Sequence, residues 1–130
     1  MKMTGNKCLL DTCIIIYAFK NNNDITAQLH TFSEIFVSSI AAGELYYGAY
    51  CSANVKKHLD QTNRFLQNYT ILVPDIITGD LYGSIKTALK NKGKPIPEND
   101  IWIAAIAIRY DLPLFTSDKH FKEIESLILV

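Results

Sequence analysis

Disulfide chemistry is what this chain is least equipped for. Its three cysteines, Cys8, Cys13 and Cys51, form neither a CxxC pair nor an even set, which excludes a disulfide-stapled secreted scaffold and reads as a reduced, intracellular protein with packed structural thiols. Long apolar runs are missing as well. No stretch approaches the roughly 18 residues of a membrane span, and the opening Met-Lys-Met-Thr-Gly-Asn-Lys lacks the apolar centre of a signal peptide, so a soluble, cytoplasmic protein without membrane contact is expected. Net charge is absent too: Lys plus Arg and Asp plus Glu number 13 each. That excludes a polycation that coats nucleic acid, and any contact with phosphate must be local or carried by a metal. Histidine is scarce, and His30, His58 and His120 show no HxxxH or HxH spacing. His30 and His58 read as helix-surface residues, and His120 as a local hydrogen-bonding residue that stands near any substrate.

What the chain does have is a core. At 130 residues and 48% apolar content it fits one domain spanning 1–130, and a chain of this size buries about two thirds of its unfolded surface. The stretch around which the rest is arranged is Lys7-Cys8-Leu9-Leu10-Asp11-Thr12-Cys13-Ile14-Ile15-Ile16. An apolar run breaks at one carboxylate and resumes with helical character, the pattern of a buried strand that delivers an acid at its C-terminal end.

From there Ile14 to Lys20 reads as a short helix, and Asp24 as the N-cap of a second over Ile25 to Phe32. Ile35 to Ser38 is a second strand, leading into a helix over Ile40 to Tyr50 that carries Glu44. Ser52 or Asn54 caps a helix to about Asn68, and Tyr69 to Val73 is a third strand closed by Pro74. Asp75 to Lys92 is the longest helical pattern, with Ile77, Leu81, Ile85 and Leu89 at four-residue spacing and Gly79 and Gly83 permitting close packing. Gly93-Lys94-Pro95-Ile96-Pro97 breaks it. Asn99 or Asp100 then starts a nearly uniformly apolar helix over Ile101 to Tyr110. Pro113 to Thr116 is a fourth strand, Lys119 to Ile124 a helix, and Leu127 to Val130 a last short strand.

Strands alternating with helices predict an α/β fold with a parallel sheet whose C-terminal strand ends share one edge, the edge where open α/β sheets bind ligands. Asp11, Glu44, Asp100 and Asp118 all fall at or near that edge. Singly, each has a plain alternative: Asp100 and Asp118 as helix caps, Glu44 as a surface residue. Asp11 resists such a reading, because a carboxylate between apolar runs needs a partner to offset its desolvation. Four acids without four matching cations repel unless a cation or shared proton compensates. A hard divalent ion, Mg2+ or Mn2+, takes oxygen ligands of this kind and suits carboxylates better than a cage of His and Cys. Metals so held suit phosphodiester hydrolysis.

Four motifs then carry a family resemblance over essentially the whole chain. Leu-Leu-Asp11-Thr12, Val37-Ser38-Ser39-Ile40 with Glu44-Leu45-Tyr46-Tyr47-Gly48, Ile96-Pro97-Glu98-Asn99-Asp100-Ile101-Trp102-Ile103-Ala104-Ala105, and Leu114-Phe115-Thr116-Ser117-Asp118-Lys119-His120-Phe121 resemble PIN-domain ribonucleases, most closely the VapC-type toxins of bacterial toxin–antitoxin pairs. The resemblance implies a PIN-like three-layer α/β sandwich with a central, mostly parallel sheet of four to five strands flanked by helices. It also implies a Mg2+ or Mn2+ cofactor, an RNA substrate, a homodimer and a cognate antitoxin partner. By position, Asp11, Glu44 and Asp100 match the metal-holding, catalytic acids and Asp118 the fourth, which often acts through water. Thr12 and Thr116 match hydroxyl positions beside the site, expected to orient waters or carboxylates. Cys13 departs from the family, where a polar residue, often Asn, is common; beside acids it should be a poor nucleophile and is read as a packed residue.

Lys86, Lys90, Lys92 and Lys94 form a basic run before Asp100. Its plain reading is a solvated helix face, and Lys92 and Lys94, with His120, are the candidate RNA contacts. Tyr46, Tyr47 and Tyr50 suit base stacking, core packing or dimer contact equally. The apolar helix around Ile14 to Tyr17 and the tyrosine-rich helix around Glu44 are candidate surfaces for antitoxin or second subunit. Two other functions compete: a phosphoaspartate-forming phosphatase or receiver-like domain using Asp11 as nucleophile, whose dehalogenase form would want an Asp where Cys13 stands, and a catalytically inactive PIN-fold binding module, which predicts an incomplete acid set.

Overall fold

A computed structural model describes residues 6–130, so most of the N-terminal stretch read above as lacking a signal peptide lies outside the described residues. Four strands, β1 (Lys7–Leu10), β2 (Glu34–Ser38), β3 (Thr70–Leu72) and β4 (Leu114–Phe115), form one sheet in the order β3-β2-β1-β4. Every pairing is parallel: Lys7 to Leu10 register with Glu34 to Val37, and Leu9 and Leu10 with Leu114 and Phe115. Chain order runs outward from β1 through β2 to β3, then returns to lay β4 on the other side of β1. The return makes β1 central, and Cys8, Leu9 and Leu10 are wholly buried. Parallel strands covered on both faces read as continuous apolar runs, as β1 does.

Six helices connect the strands: α1 (Thr12–Phe19), α2 (Asn23–Leu29), α3 (Ser39–Tyr50), α4 (Val55–Leu66), α5 (Ile76–Asn91) and α6 (Glu98–Arg109). The sequence explains their starts. Ser38, Asn54 and Asp75 each accept a hydrogen bond from a backbone amide of the first turn, and Asp75 with Thr78 makes a reciprocal capping box. Arg109, at the end of α6, donates in bidentate fashion to Asp75 at 2.9–3.2 Å, tying the two longest-packed helices together. Along α6, Ile101, Ile103, Ala104, Ala105, Ile106 and Ala107 are all buried, the pattern of a helix enclosed on most sides. Among the described residues, no helix is long and apolar enough to cross a membrane.

Several details differ from the sequence reading. Asn22, not Asp24, caps α2, its side-chain oxygen accepting from the Ile25 amide, and Asp24 sits in the first turn instead. The helix α6 begins at Glu98 with Pro97 at the cap position and no side-chain cap, so the Asp100 carboxylate is not spent on its own helix. Lys119–Glu123 is a five-residue 3-10 helix, and the expected last strand is reduced to one bridge between Leu114 and Leu129 because β4 offers only two residues to pair with. The close packing expected at Gly79 and Gly83 is absent: an added Cβ would meet nothing within 4 Å. Gly93, in contrast, has φ +69° and supplies the left-handed turn that ends α5. Ile77 is half exposed although its stripe partners Ile85 and Leu89 are buried. Of the cysteines only Cys8 is buried, which pushes its thiol pKa up to about 12; Cys51 is exposed and Cys13 half-buried.

Candidate active site

Each of the four acids arrives on a different piece of the fold. Asp11 follows the last residue of β1 and caps α1, and Asp118 follows β4 and caps the 3-10 helix. Glu44 lies in the second turn of α3, and Asp100 is the third residue of α6. Because β1 and β4 are parallel neighbours, Asp11 and Asp118 leave the sheet at the same edge.

Asp11 is 4% exposed, and three donors answer its charge. The Thr12 amide donates to Oδ1 at 2.8 Å, while the Thr116 hydroxyl at 2.7 Å and the Cys13 thiol at 3.2 Å both donate to Oδ2. Thr116 in turn accepts from the Asp118 amide at 2.9 Å, so one hydroxyl spans two of the acids. The Thr12 hydroxyl donates to Glu44 Oε1 at 2.6 Å, and Asn99 donates to Glu44 Oε2 at 3.4 Å. Glu44 is thereby held from α1 and α6 at once.

Asp118 serves two ends. Its Oδ1 accepts from the His120 amide at 2.9 Å, which is helix capping, and the same oxygen lies 3.1 Å from His120 Nδ1. That ring nitrogen is also 3.8 Å from Asp100 Oδ2. Ligand atoms of Asp100, Asp118 and His120 all fall within 4.8 Å of one another. Asp11 and Glu44 stand outside this tight group but within electrostatic reach of it.

The electrostatics follow from that crowding. Burial, followed by the charges of Asp11, Asp118 and Glu44, raises the Asp100 carboxyl to a pKa of about 6, with His120 opposing. Asp11 is also raised, mainly by burial and in small part by Asp118, against the three donors that favour its charged form. Cys13 is raised too. Burial is the leading cause, with the adjacent Asp11 contributing less than the hydrogen bonds from Ser117 that lower it. The thiol therefore acts as a donor to Asp11 and not as a nucleophile.

An excess of carboxylate oxygen, one imidazole and a proton-hungry Asp100 is a donor set that fits a hard divalent cation. The basic run lies elsewhere. Lys86 pairs with Glu98 at 3.1 Å, Lys92 pairs with Glu123 at 3.3 Å, and Lys94 stands on the exposed loop before α6. The sequence reading missed Asn99 as a partner of Glu44. Its signal was a side-chain amide directly before an acid at a helix start with no other capping duty. His120, read from the sequence as a local hydrogen-bonding residue, does bond to Asp118, and its ring stands against two of the acids.

Comparison with known proteins identifies the family and the fold. The PIN domain family matches residues 8–127. The chain is 34% identical over 124 residues to "Ribonuclease VapC1" of Haemophilus influenzae strain R2866, covering 92% of each chain. It is 27% identical over 124 residues to "tRNA(fMet)-specific endonuclease VapC" of Shigella flexneri, covering 93% of this chain and 94% of the other. A solved structure of VapBC2 from Rickettsia felis bound to a DNA fragment from its promoter superposes with a TM-score of 0.90 at 31% identity, over 95% of this chain and 97% of that one. With four parallel strands, six helices and an acidic edge on which Asp11, Glu44, Asp100 and Asp118 converge, the chain belongs to the PIN-domain family.

Proposed function

We propose that this protein is a Mg2+- or Mn2+-dependent endoribonuclease that hydrolyses RNA phosphodiester bonds and acts as the toxin of a toxin–antitoxin pair. The observation that carries the reading is the convergence of Asp11, Glu44, Asp100 and Asp118 from four separate elements, none of them in an ion pair with a lysine or arginine among the described residues. Relatives named as ribonucleases and a tRNA-specific endonuclease support the reaction class, and the VapBC complexes among the structural neighbours support the antitoxin.

In this reading Asp100, Asp118, Asp11 and Glu44 hold the cation, Asp118 directly or through water. When bound, a divalent ion supplies a water of lowered pKa and neutralises charge on the phosphoryl oxygens. The chain's own residues supply position. Thr12 and Asn99 fix the plane of the Glu44 carboxylate, and Thr116 fixes Asp11 relative to Asp118. Asp100, with a pKa of about 6, holds a proton on the acid side of neutrality that a bound ion would displace. The exposed Lys94 and His120, and Lys92 if released from Glu123, meet the flanking RNA backbone. Tyr47 and Tyr50, both largely exposed on the Glu44 helix, with Ile16 and Tyr17 of α1, offer the surface for the antitoxin or for a second copy in a homodimer.

A phosphoaspartate mechanism is poorly served, because Cys13 stands where its dehalogenase form wants a second Asp. An inactive binding module is poorly served by an intact acid set. The test is cleavage of RNA with Mg2+ or Mn2+ by the wild type and by Asp11→Asn. Loss of cleavage in a folded variant is expected, and undiminished cleavage overturns the assignment. On expression, growth arrest relieved by Asp100→Asn and by a short DNA-binding protein encoded beside it is the corresponding test of the toxin role.

A further inference from the structure

We infer that His120 is itself a ligand of the metal, through Nδ1, so that the centre is a mixed oxygen and nitrogen site. The inference rests on the metal-dependent reading above. One ring nitrogen lies 3.1 Å from an oxygen of Asp118 and 3.8 Å from an oxygen of Asp100, residues on two different elements. Adjacent ligands of an octahedral ion with bonds of about 2.1 Å stand about 3 Å apart, so the nearer separation is that of two donors sharing a cation. Asp118 Oδ1 also accepts from the His120 backbone amide at 2.9 Å, so amide and ring of one residue bracket the same carboxylate oxygen. That bond and the wholly buried Phe121 next to it fix where the ring begins, while its tip stays more than half exposed.

The chemistry that follows is selectivity. Imidazole suits later transition ions such as Ni2+ and Zn2+ best; Mn2+, the first of that series, accepts one nitrogen among oxygens, whereas Mg2+ favours oxygen and keeps its waters. A site of carboxylates alone has little reason to separate Mn2+ from Mg2+; one with His120 in it favours Mn2+.

The experiment measures Mn2+ binding to the full chain without RNA, at about pH 8, by electron paramagnetic resonance. Pulsed measurement of nitrogen coupling to the bound ion is made in the wild type, His120→Gln and Asp100→Asn, and Mg2+ affinity is obtained by competition. Wild type is expected to show a nitrogen coupling that His120→Gln loses, with Mn2+ affinity falling about 10-fold or more and Mg2+ affinity falling much less. Bound Mn2+ without nitrogen coupling, or an equal fall for both ions, overturns the inference and leaves the metal reading standing, provided that Asp100→Asn abolishes binding. A wild type that binds no Mn2+ overturns both. Melting curves of the variants show that they are folded.

Discussion

Thr116 and Asp11, 105 positions apart in the chain, share a 2.7 Å hydrogen bond in which the hydroxyl donates to the carboxylate. The same hydroxyl accepts from the Asp118 amide, so a single oxygen sets the spacing between the acids of two neighbouring strands. Thr116→Val removes both bonds and leaves Asp11 one donor short in a buried place. A loss of about 1–3 kcal/mol in stability is expected, together with a fall in metal affinity of about 10-fold or more. Thr116→Ser keeps the hydroxyl and should keep most of both. Chemical denaturation and metal titration check the pair, and a valine variant that behaves as the serine one would sink the idea.

Asp11→Asn should leave the fold intact. The side-chain oxygen can still accept from the Thr12 amide, and the Thr116 hydroxyl can turn to accept from the new amide. Since burial and Asp118 already push the Asp11 carboxyl up, removing its charge costs the metal-free protein little. Its melting temperature in chelator should stay within a few degrees of wild type while cleavage is lost. Collapse of the fold would show that Asp11 is held for structure first.

Asp100 gives the metal-free protein a pH dependence of known sign. Its carboxyl is raised from 3.8 to about 6, so the fold favours the protonated form. The stabilisation this brings is complete below the unfolded value and is lost as pH rises through about 6. Allowing for water at this open edge, the difference between pH 5 and pH 7.5 should be about 1 kcal/mol. Asp100→Asn should flatten that part of the curve. With metal present the order reverses, because protons compete for the same carboxylate, and affinity should drop as pH falls below about 6. Thermal melts across this range, with and without chelator, measure both.

Phe121 ties the site to the core. Its ring is wholly buried, directly after His120 and three residues after Asp118. Phe121→Ala should cost about 3–5 kcal/mol and loosen the 3-10 helix that presents both groups. Phe121→Leu, which keeps most of the volume, should restore stability further than activity. Equal recovery of the two would mean that the helix does not depend on the ring for its placement.

How much of this could be read from the chain differs from residue to residue. The strand β1 and the acid at its end were legible because an apolar run interrupted by one carboxylate has few other meanings. The parallel arrangement followed from alternation of strands and helices. What escaped reading depended on choices between near-equals or on distance. Asn22 and Asp24 are both good caps, and only the backbone at Asn22 decides between them. The last strand failed because β4 is too short to support a neighbour. The donation from Asn99 to Glu44 crosses 55 positions, and the approach of His120 to Asp100 depends on a tight 3-10 turn instead of the expected α-helix. Local pattern carries neither.

The return of β4 to the far side of β1 has a consequence for synthesis. A ribosome makes Asp11 early, but the strand that brings Thr116 and Asp118 beside it is the last of the four to emerge. Until then Asp11 lacks its hydroxyl partner, and Asp118 and His120, which stand closest to Asp100, do not yet exist. A domain that folds as a unit after its final strand appears therefore assembles this acidic edge all at once and late. A half-made chain carries the acids without the edge that gathers them.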